Sequence, residues 1–187
     1  MESILEIQDL KMHIFVEEGV VKAVDGISLT LNRGEVLGLV GESGSGKRMT
    51  LRSIMRLIPP AGKYLGGRIL YRGEDLLTSS QAKMEDLRGG EIALILQEPM
   101  TALNPVLTIG EQLKETIIEH TDLSGDAVRD RSLELLELVG IPGGKARLKE
   151  YPHQFSGGMQ QRAMIAISLA CNPQVLLADE PTTALDV

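Results

Sequence analysis

Apolar and polar positions alternate from Ile4 to His13 and again from Val20 to Leu31, the period-two pattern of half-buried strands. Glu17-Glu18-Gly19 is the turn expected between them. Asn32-Arg33-Gly34 then turns the chain into an apolar run, Val36-Leu37-Gly38-Leu39-Val40, which predicts a strand, and a helix is predicted from Met49 to Leu57. Arg68-Ile69-Leu70-Tyr71, set off by glycines on both sides, reads as another short strand. Ile92 to Leu96 is almost wholly apolar, as a strand covered on both faces should be, and Pro99 stops it just after Gln97-Glu98.

The middle of the chain changes period. Thr108-Ile109-Gly110-Glu111 has the spacing of a capping box and opens a helix toward His120. Ser124 is expected to cap a second helix, in which Val128, Ser132, Leu135, Leu136 and Val139 share one face until Gly140 and Pro142 end it. A third helix follows Ser156 and stops at Asn172-Pro173. The strand Val175 to Ala178 then ends on Asp179-Glu180. Helices placed between two buried strands predict an α/β fold: a mainly parallel core flanked by helices, an antiparallel N-terminal part, and a helical subdomain inserted at about 98–165.

Composition narrows the classes. The chain has 187 residues, a net charge of −7 and only 3% aromatic residues. That size suits one α/β domain with a small insertion. The acidic balance and scarcity of stacking rings argue against a nucleic-acid partner. Cys171 has no second cysteine to pair with and fits a reducing compartment, as a small apolar side chain at a helix end. Met1 to Ile4 shows no basic segment before an apolar core, so no signal peptide is expected. The apolar stretch Met164 to Cys171 is too short to span a bilayer, so work at a membrane would need another chain as anchor.

The chemistry centres on Gly41-Glu42-Ser43-Gly44-Ser45-Gly46-Lys47-Arg48. Glycines at both ends of a short gap, followed by lysine at the start of a helix, let backbone N–H groups turn around an anion while Lys47 reaches the β- and γ-phosphates. An ordinary glycine-rich turn is the alternative, and Lys47 weighs against it. Asp179, at the end of a buried strand, suits a hard cation such as Mg²⁺, and Glu180 suits polarising an attacking water. A solvated Asp-Glu turn is the alternative for that pair taken alone. Phe155-Ser156-Gly157-Gly158-Met159-Gln160-Gln161-Arg162 is a second glycine-containing helix start, with Ser156 as N-cap and bare amides at Gly157 and Gly158. With His13, His120 and His153 scattered, no zinc-type cluster is expected; His120 reads as solvated, and His153 as packing or hydrogen-bonding near Ser156 rather than ligating a metal.

This combination resembles the nucleotide-binding subunit of an ATP-binding cassette (ABC) transporter over nearly the whole chain. Gly41 to Lys47 is similar to its Walker A loop, Gln97 to its Q-loop, and Ser156-Gly157-Gly158-Met159-Gln160 to its signature. Val175 to Glu180 is similar to its Walker B and Ala184-Leu185-Asp186 to its D-loop. Gln97 to Pro105 and the Gly-Gly-Met-Gln-Gln-Arg run further resemble the oligopeptide, dipeptide and nickel importer branch.

The resemblance implies an ATPase powering peptide uptake, with ATP and Mg²⁺ as cofactors. Gly41, Glu42, Ser43, Gly44, Ser45, Gly46, Lys47, Arg48 and Met49 would hold ATP, Asp179 and Gln97 the metal, and Glu180 with Gln97 would be catalytic. An aromatic in the first strands would stack on adenine: Phe15 first and His13 second, with Phe15 as a core residue the alternative. A head-to-tail dimer, homo- or heterodimeric, would set each signature and D-loop Asp186 against the partner's ATP. The partners implied are a membrane permease docked through the helical subdomain and, indirectly, an extracytoplasmic peptide-binding protein. The location implied is peripheral, on the cytoplasmic face of the inner or plasma membrane.

Two departures from the family pattern qualify these expectations. Arg48 stands where the loop should end in a Mg²⁺-binding Ser or Thr. Thr50 is too far round the helix to substitute. The chain also stops at Asp186-Val187, before the further strand and switch histidine of the family, so residues 1–187 are expected to form an incomplete cassette with its Walker A strand at a bare edge. The second reading is therefore a degenerate or truncated partner subunit that binds nucleotide without turnover. A soluble ABC protein of translation or DNA repair is disfavoured by the importer-like Q-loop segment and the acidic charge.

Overall fold

The computed structural model describes residues 2–98 and 102–180. They belong to two compact units, Met1–Glu85 and Asp86–Val187.

In the first unit, β1 (Ser3–Val16) and β2 (Gly19–Asn32) form the expected antiparallel hairpin. β3 (Gly62–Tyr71) pairs with the other edge of β1, and the two-residue β4 (Glu74–Asp75) follows, giving the order β2-β1-β3-β4. The buried positions of β1 change phase midway: Leu5 and Ile7 are buried, then Leu10 and Met12. A bulge between Ile7 and Leu10 causes this, with Asp9 at φ 45°. One inserted residue flips every later side chain to the other face. Gly67, at φ 85°, lies opposite, and a Cβ there would overlap the Gln8 and Asp9 carbonyl oxygens. The strand predicted only from Arg68 therefore begins at Gly62 and runs through the Gly66-Gly67 pair.

Two expectations fail in this unit. Residues 35–40 form no strand. Val36 and Val40 are 97% and 95% exposed, and no ladder of hydrogen bonds involves this run among the described residues. Apolar content supplies side chains for a sheet but not the neighbouring backbone that a strand requires. The helix, α1 (Lys47–Ile54), begins and ends earlier than predicted. Arg56, at φ 51°, breaks it and donates from Nη1 to the Ser79 carbonyl at 2.6 Å.

α2 (Gln81–Leu87), which no period predicted, leads into the second unit. There β5 (Ile92–Ile95) pairs in parallel with β6 (Val175–Ala178). The intervening chain forms α3 (Ile109–His120), α4 (Asp126–Leu138), the short α5 (Gly144–Arg147), a 3₁₀ turn at Pro152–Gln154, and α6 (Gly157–Ser168). Ile109, Leu113 and Ile117 of α3 meet Leu135 and Leu136 of α4 and Ala163, Met164 and Ala166 of α6 in one core that includes Ile95.

The ends of these helices are chemically fixed. Thr108 and Glu111 form the expected capping box on α3. α4 is capped by Gly125 at φ 56°, not by Ser124, whose carbonyl instead accepts from the Ala127 amide at 3.2 Å. α4 and α6 exchange arginines. Arg131 donates to the carbonyls of Leu169 and Ala170 and to Asn172 Oδ1, and Arg162 donates to the carbonyls of Val139 and Gly140. Each helix thus carries a cation at the other's C-terminus, where orphan carbonyls and the dipole favour one. His120 is half-buried rather than solvated: its ring lies against Gly89-Gly90, where an added Cβ would come within 3.0 Å of Nε2. Cys171 Sγ sits 3.4 Å from the Thr116 carbonyl, and burial pushes its thiol pKa up.

Replacing Arg131, 15% exposed, by Met strands those carbonyls. The change is expected to cost about 2 kcal/mol, read as a lowered urea midpoint at unchanged m-value. The Thr108 hydroxyl and then its amide hold Glu111 below its ordinary 4.5. This capping contribution is present above that value and lost as pH falls through the lower folded value. Faster amide exchange in the first turn of α3 below that pH, abolished in Glu111→Gln, is the expected observation.

Candidate functional site

In the first unit the glycine-rich loop closes on its own lysine. Lys47 Nζ donates to the carbonyls of Gly41 and Glu42 and lies 3.5 Å from Ser45 Oγ. Gly46, at φ 91°, is the N-cap of α1 with no side-chain cap, so the helix opens on backbone amides alone. A Cβ on Gly46 would overlap the carbonyl oxygen of Ala23 in β2, and one on Gly41 would come 2.7 Å from Ser45 Oγ. Gly46 is required both by this approach to a carbonyl and by its left-handed backbone, whereas the contact at Gly41 is with a serine side chain that can turn away. Glu42, Ser43 and Gly44 are exposed and Met49 is half-buried.

Arg48 is exposed in the first turn of α1, which contains no acidic residue. Thr50 cannot stand in for a missing hydroxyl. It is 2% exposed, and its Oγ1 donates back to the Gly46 carbonyl at 3.0 Å. The loop therefore offers a guanidinium where Mg²⁺ needs an oxygen. Like charges at ~4 Å repel by about 4 kcal/mol per unit pair at an effective dielectric of ~20. The residues of this loop do not fit the metal.

Phe15 pairs with Val20 at the hairpin end and is 40% exposed, with Lys63 Nζ 5.3 Å from its ring centroid. It is not a core residue. His13 is 8% exposed, and its Nε2 lies 3.3 Å from Asp25 Oδ1. Lys22 first, and His13 second, hold the Asp25 carboxyl below its usual range. Of the two aromatic candidates, Phe15 is the accessible one.

In the second unit the parallel pairing of Ile95 with Ala178 brings Gln97 and Glu180 together. Gln97 Nε2 donates to Glu180 Oε2 at 2.6 Å, a charge-assisted bond between residues 83 apart in sequence. Asp179 is 9% exposed, and its amide donates to the Ile95 carbonyl at 3.0 Å. Glu180 adopts φ 50°, a backbone conformation that costs a non-glycine residue about 1 kcal/mol or more.

Ser156 caps α6, its Oγ accepting from the Met159 amide at 3.4 Å. Ser156 and Gly157 are exposed, and Gly158 and Met159 are half-buried. Gln160 is buried. Its Nε2 donates to the carbonyls of Pro152 and Phe155, so it braces the approach to α6 from within. Tyr151 and His153 stack at 5.6 Å just before this motif, in keeping with His153 as a packing residue. No cluster of His, Cys, Asp and Glu suited to a metal occurs among the described residues. Pro99 and Asp186 lie outside them.

Sequence reasoning missed the Arg131–Arg162 exchange and the role of Gln112. The latter accepts from the Asn104 amide and donates to the Asn104 and Leu107 carbonyls, pinning the loop after the Q-loop segment. A buried glutamine on a helix that follows an Asn-Pro loop was the available signal.

A phosphate loop, a strand-end carboxylate pair and a serine-capped glycine helix start define a phosphate-loop nucleotide-binding class. The family model described as ABC transporter matches residues 24–183, and the chain belongs to that family. It is 51% identical over its full length to the dipeptide transport ATP-binding protein DppD of Bacillus subtilis, covering 56% of that protein. It is 49% identical to the oligopeptide transport ATP-binding protein OppD of the same organism, with 98% of the chain covering 52% of the relative. The chain thus spans about half the length of these curated relatives. Among solved structures, a dimeric form of the ABC transporter cassette MJ0796 superposes at a TM-score of 0.86 and 29% identity, covering 97% of this chain and 76% of that one. A post-hydrolysis dimer of the same cassette, bound to ADP and Pi, gives 0.87.

Gly46→Ala places a Cβ against Ala23 at a backbone angle that L-residues resist. Nucleotide affinity is expected to fall at least ~10-fold, equivalent to ~1.4 kcal/mol, while the far-ultraviolet circular dichroism of the chain is kept. Equilibrium titration with a fluorescent ATP analogue measures it.

Proposed function

We propose that this protein is the ATP-binding subunit of a peptide importer, working at the cytoplasmic face of a membrane against a permease that another chain supplies. The observation that carries this reading is the Gln97–Glu180 contact at the ends of β5 and β6, in a chain half-identical to peptide-transport ATP-binding proteins. Among the described residues no helix is long and apolar enough to cross a membrane.

In this reading Lys47 and the amides of Gly44 to Lys47 bind the phosphates, and Phe15 stacks on the base. Glu180, oriented by the Gln97 amide, accepts a proton from water as that water's oxygen attacks the γ-phosphorus; the bond to the β-phosphate oxygen breaks, and ADP and phosphate leave. Asp179, with Gln97, is the residue that would hold a cation. Ser156, Gly157 and Gly158 present their amides to ATP held by a second cassette in a head-to-tail pair, and Asp186 belongs to the same interface. The extracytoplasmic peptide-binding protein acts on the permease.

Arg48 favours a second reading of this chain's share in that pair. Its loop site is slow, and it serves as the half whose Ser156 motif activates ATP on an intact partner. The chain alone is expected to release phosphate at least ~10-fold more slowly than an intact importer subunit, since loss even of indirect support at metal sites costs ~10–100-fold. Steady-state phosphate release comparable to the intact subunit would refute this. Mixed with a hydrolysis-competent paralogue, the chain is expected to raise the paralogue's ATPase rate, and Ser156→Arg to abolish the gain. Equal rates for the paralogue alone and for both mixtures would remove the activating role.

A further inference from the structure

We infer that Arg48 is a built-in counter-ion of the phosphate loop, which lets this site take a nucleoside triphosphate without a divalent cation; the inference rests on the phosphate-loop reading above. Four observations converge. The amide-lined start of α1 has no side-chain cap and no acidic residue in its first turn. Arg48 is exposed there, next to Lys47. The hydroxyl nearest in sequence beyond it, that of Thr50, is buried and bonded to the Gly46 carbonyl. Ser45 Oγ, the hydroxyl preceding it, lies against the Lys47 ammonium.

The loop has therefore exchanged an oxygen that suits a divalent cation for a guanidinium that repels one. A guanidinium is always charged and presents a planar fork of donors, matched to two phosphate oxygens at once. Metal-free ATP carries more negative charge than its Mg²⁺ complex and leaves its β- and γ-oxygens open to that fork. Lys47 and Arg48 then neutralise what one lysine and a metal would share. Arg48 supplies the positive charge that Mg²⁺ would otherwise bring, so the site does not need a divalent cation to hold the triphosphate.

The test is equilibrium binding of a fluorescent ATP analogue to the full chain, in excess Mg²⁺ and in EDTA, with Arg48→Ser, Arg48→Lys and Lys47→Ala in parallel. The wild-type affinity is expected to change less than ~3-fold between the two conditions. Arg48→Ser should lose ~10-fold or more in EDTA, the order expected for a metal-supported site. Arg48→Lys should stay metal-independent with weaker binding, and Lys47→Ala should bind poorly throughout. A wild-type loss of ~10-fold or more in EDTA overturns the inference and leaves the phosphate-loop reading standing. Metal-independent binding by Arg48→Ser overturns the role of Arg48 in the same way. Binding by neither wild type nor Arg48→Ser, in either condition, overturns the phosphate-loop reading and the inference with it.

Discussion

The parallel ladder between β5 and β6 is the constraint on which the chemistry of the second unit depends. Ile95 faces Ala178, so the residues two steps beyond each, Gln97 and Glu180, must emerge side by side. The 2.6 Å bond between them follows from register, not from local sequence. A slip of one residue would set Gln97 beside Asp179 or the following proline and dissolve the pair. What holds the register is the chain between the strands. Three long helices bury a common core that includes Ile95, and the Gln174 and Val175 amides both donate to the Glu91 carbonyl at the entry to the ladder.

The helices need constraint of their own, because the amides of Ser156 to Gly158 are useful only if α6 points one way. Its C-terminal carbonyls are held by Arg131 of α4, and its Arg162 holds the C-terminus of α4 in return. Two attachments at different heights fix a helix against both rotation and tilt, which a uniformly apolar contact would not. Gly140, at φ 72°, leaves room for the second: a Cβ there would come 2.8 Å from Arg162 Nη1. The same backbone glycine that ends α4 therefore admits the guanidinium that caps it.

Elements whose signal lies in side-chain period were legible in the sequence. The β1–β2 hairpin, β5, β6, the α3 capping box and the buried face of α4 all fell where alternation or helical spacing put them. Elements that depend on a distant neighbour were not. The run at 36–40 is as apolar as β5, yet it forms no ladder among the described residues, because pattern does not report whether a partner strand is adjacent. β3 was read short because Gly66-Gly67 looks like punctuation until Asp9 bulges opposite it. Ser124 lost its cap to Gly125 because the turn took a left-handed φ that glycine adopts without strain. The candidate site followed the same division. The motif residues were named by their order, while the Gln97–Glu180 contact, the burial of Gln160 and the half-burial of His120 required the fold.

Arg48 shows how little of a site's chemistry its scaffold determines. The left-handed Gly46 and the uncapped first turn of α1 are backbone features, and the loop closes through the Lys47 ammonium on the Gly41 and Glu42 carbonyls. Thr50 turns its hydroxyl back to the Gly46 carbonyl, a bond that serves the helix and is closed to a ligand. Position 48 is exposed in the first turn of α1, so a hydroxyl and a guanidinium can both be placed there without entering the core. The choice changes which ion the loop neutralises with. On the proposed reading, anion recognition resides in the backbone and Lys47 and metal dependence in one exposed side chain, so the two properties can separate without a change in the backbone of the loop.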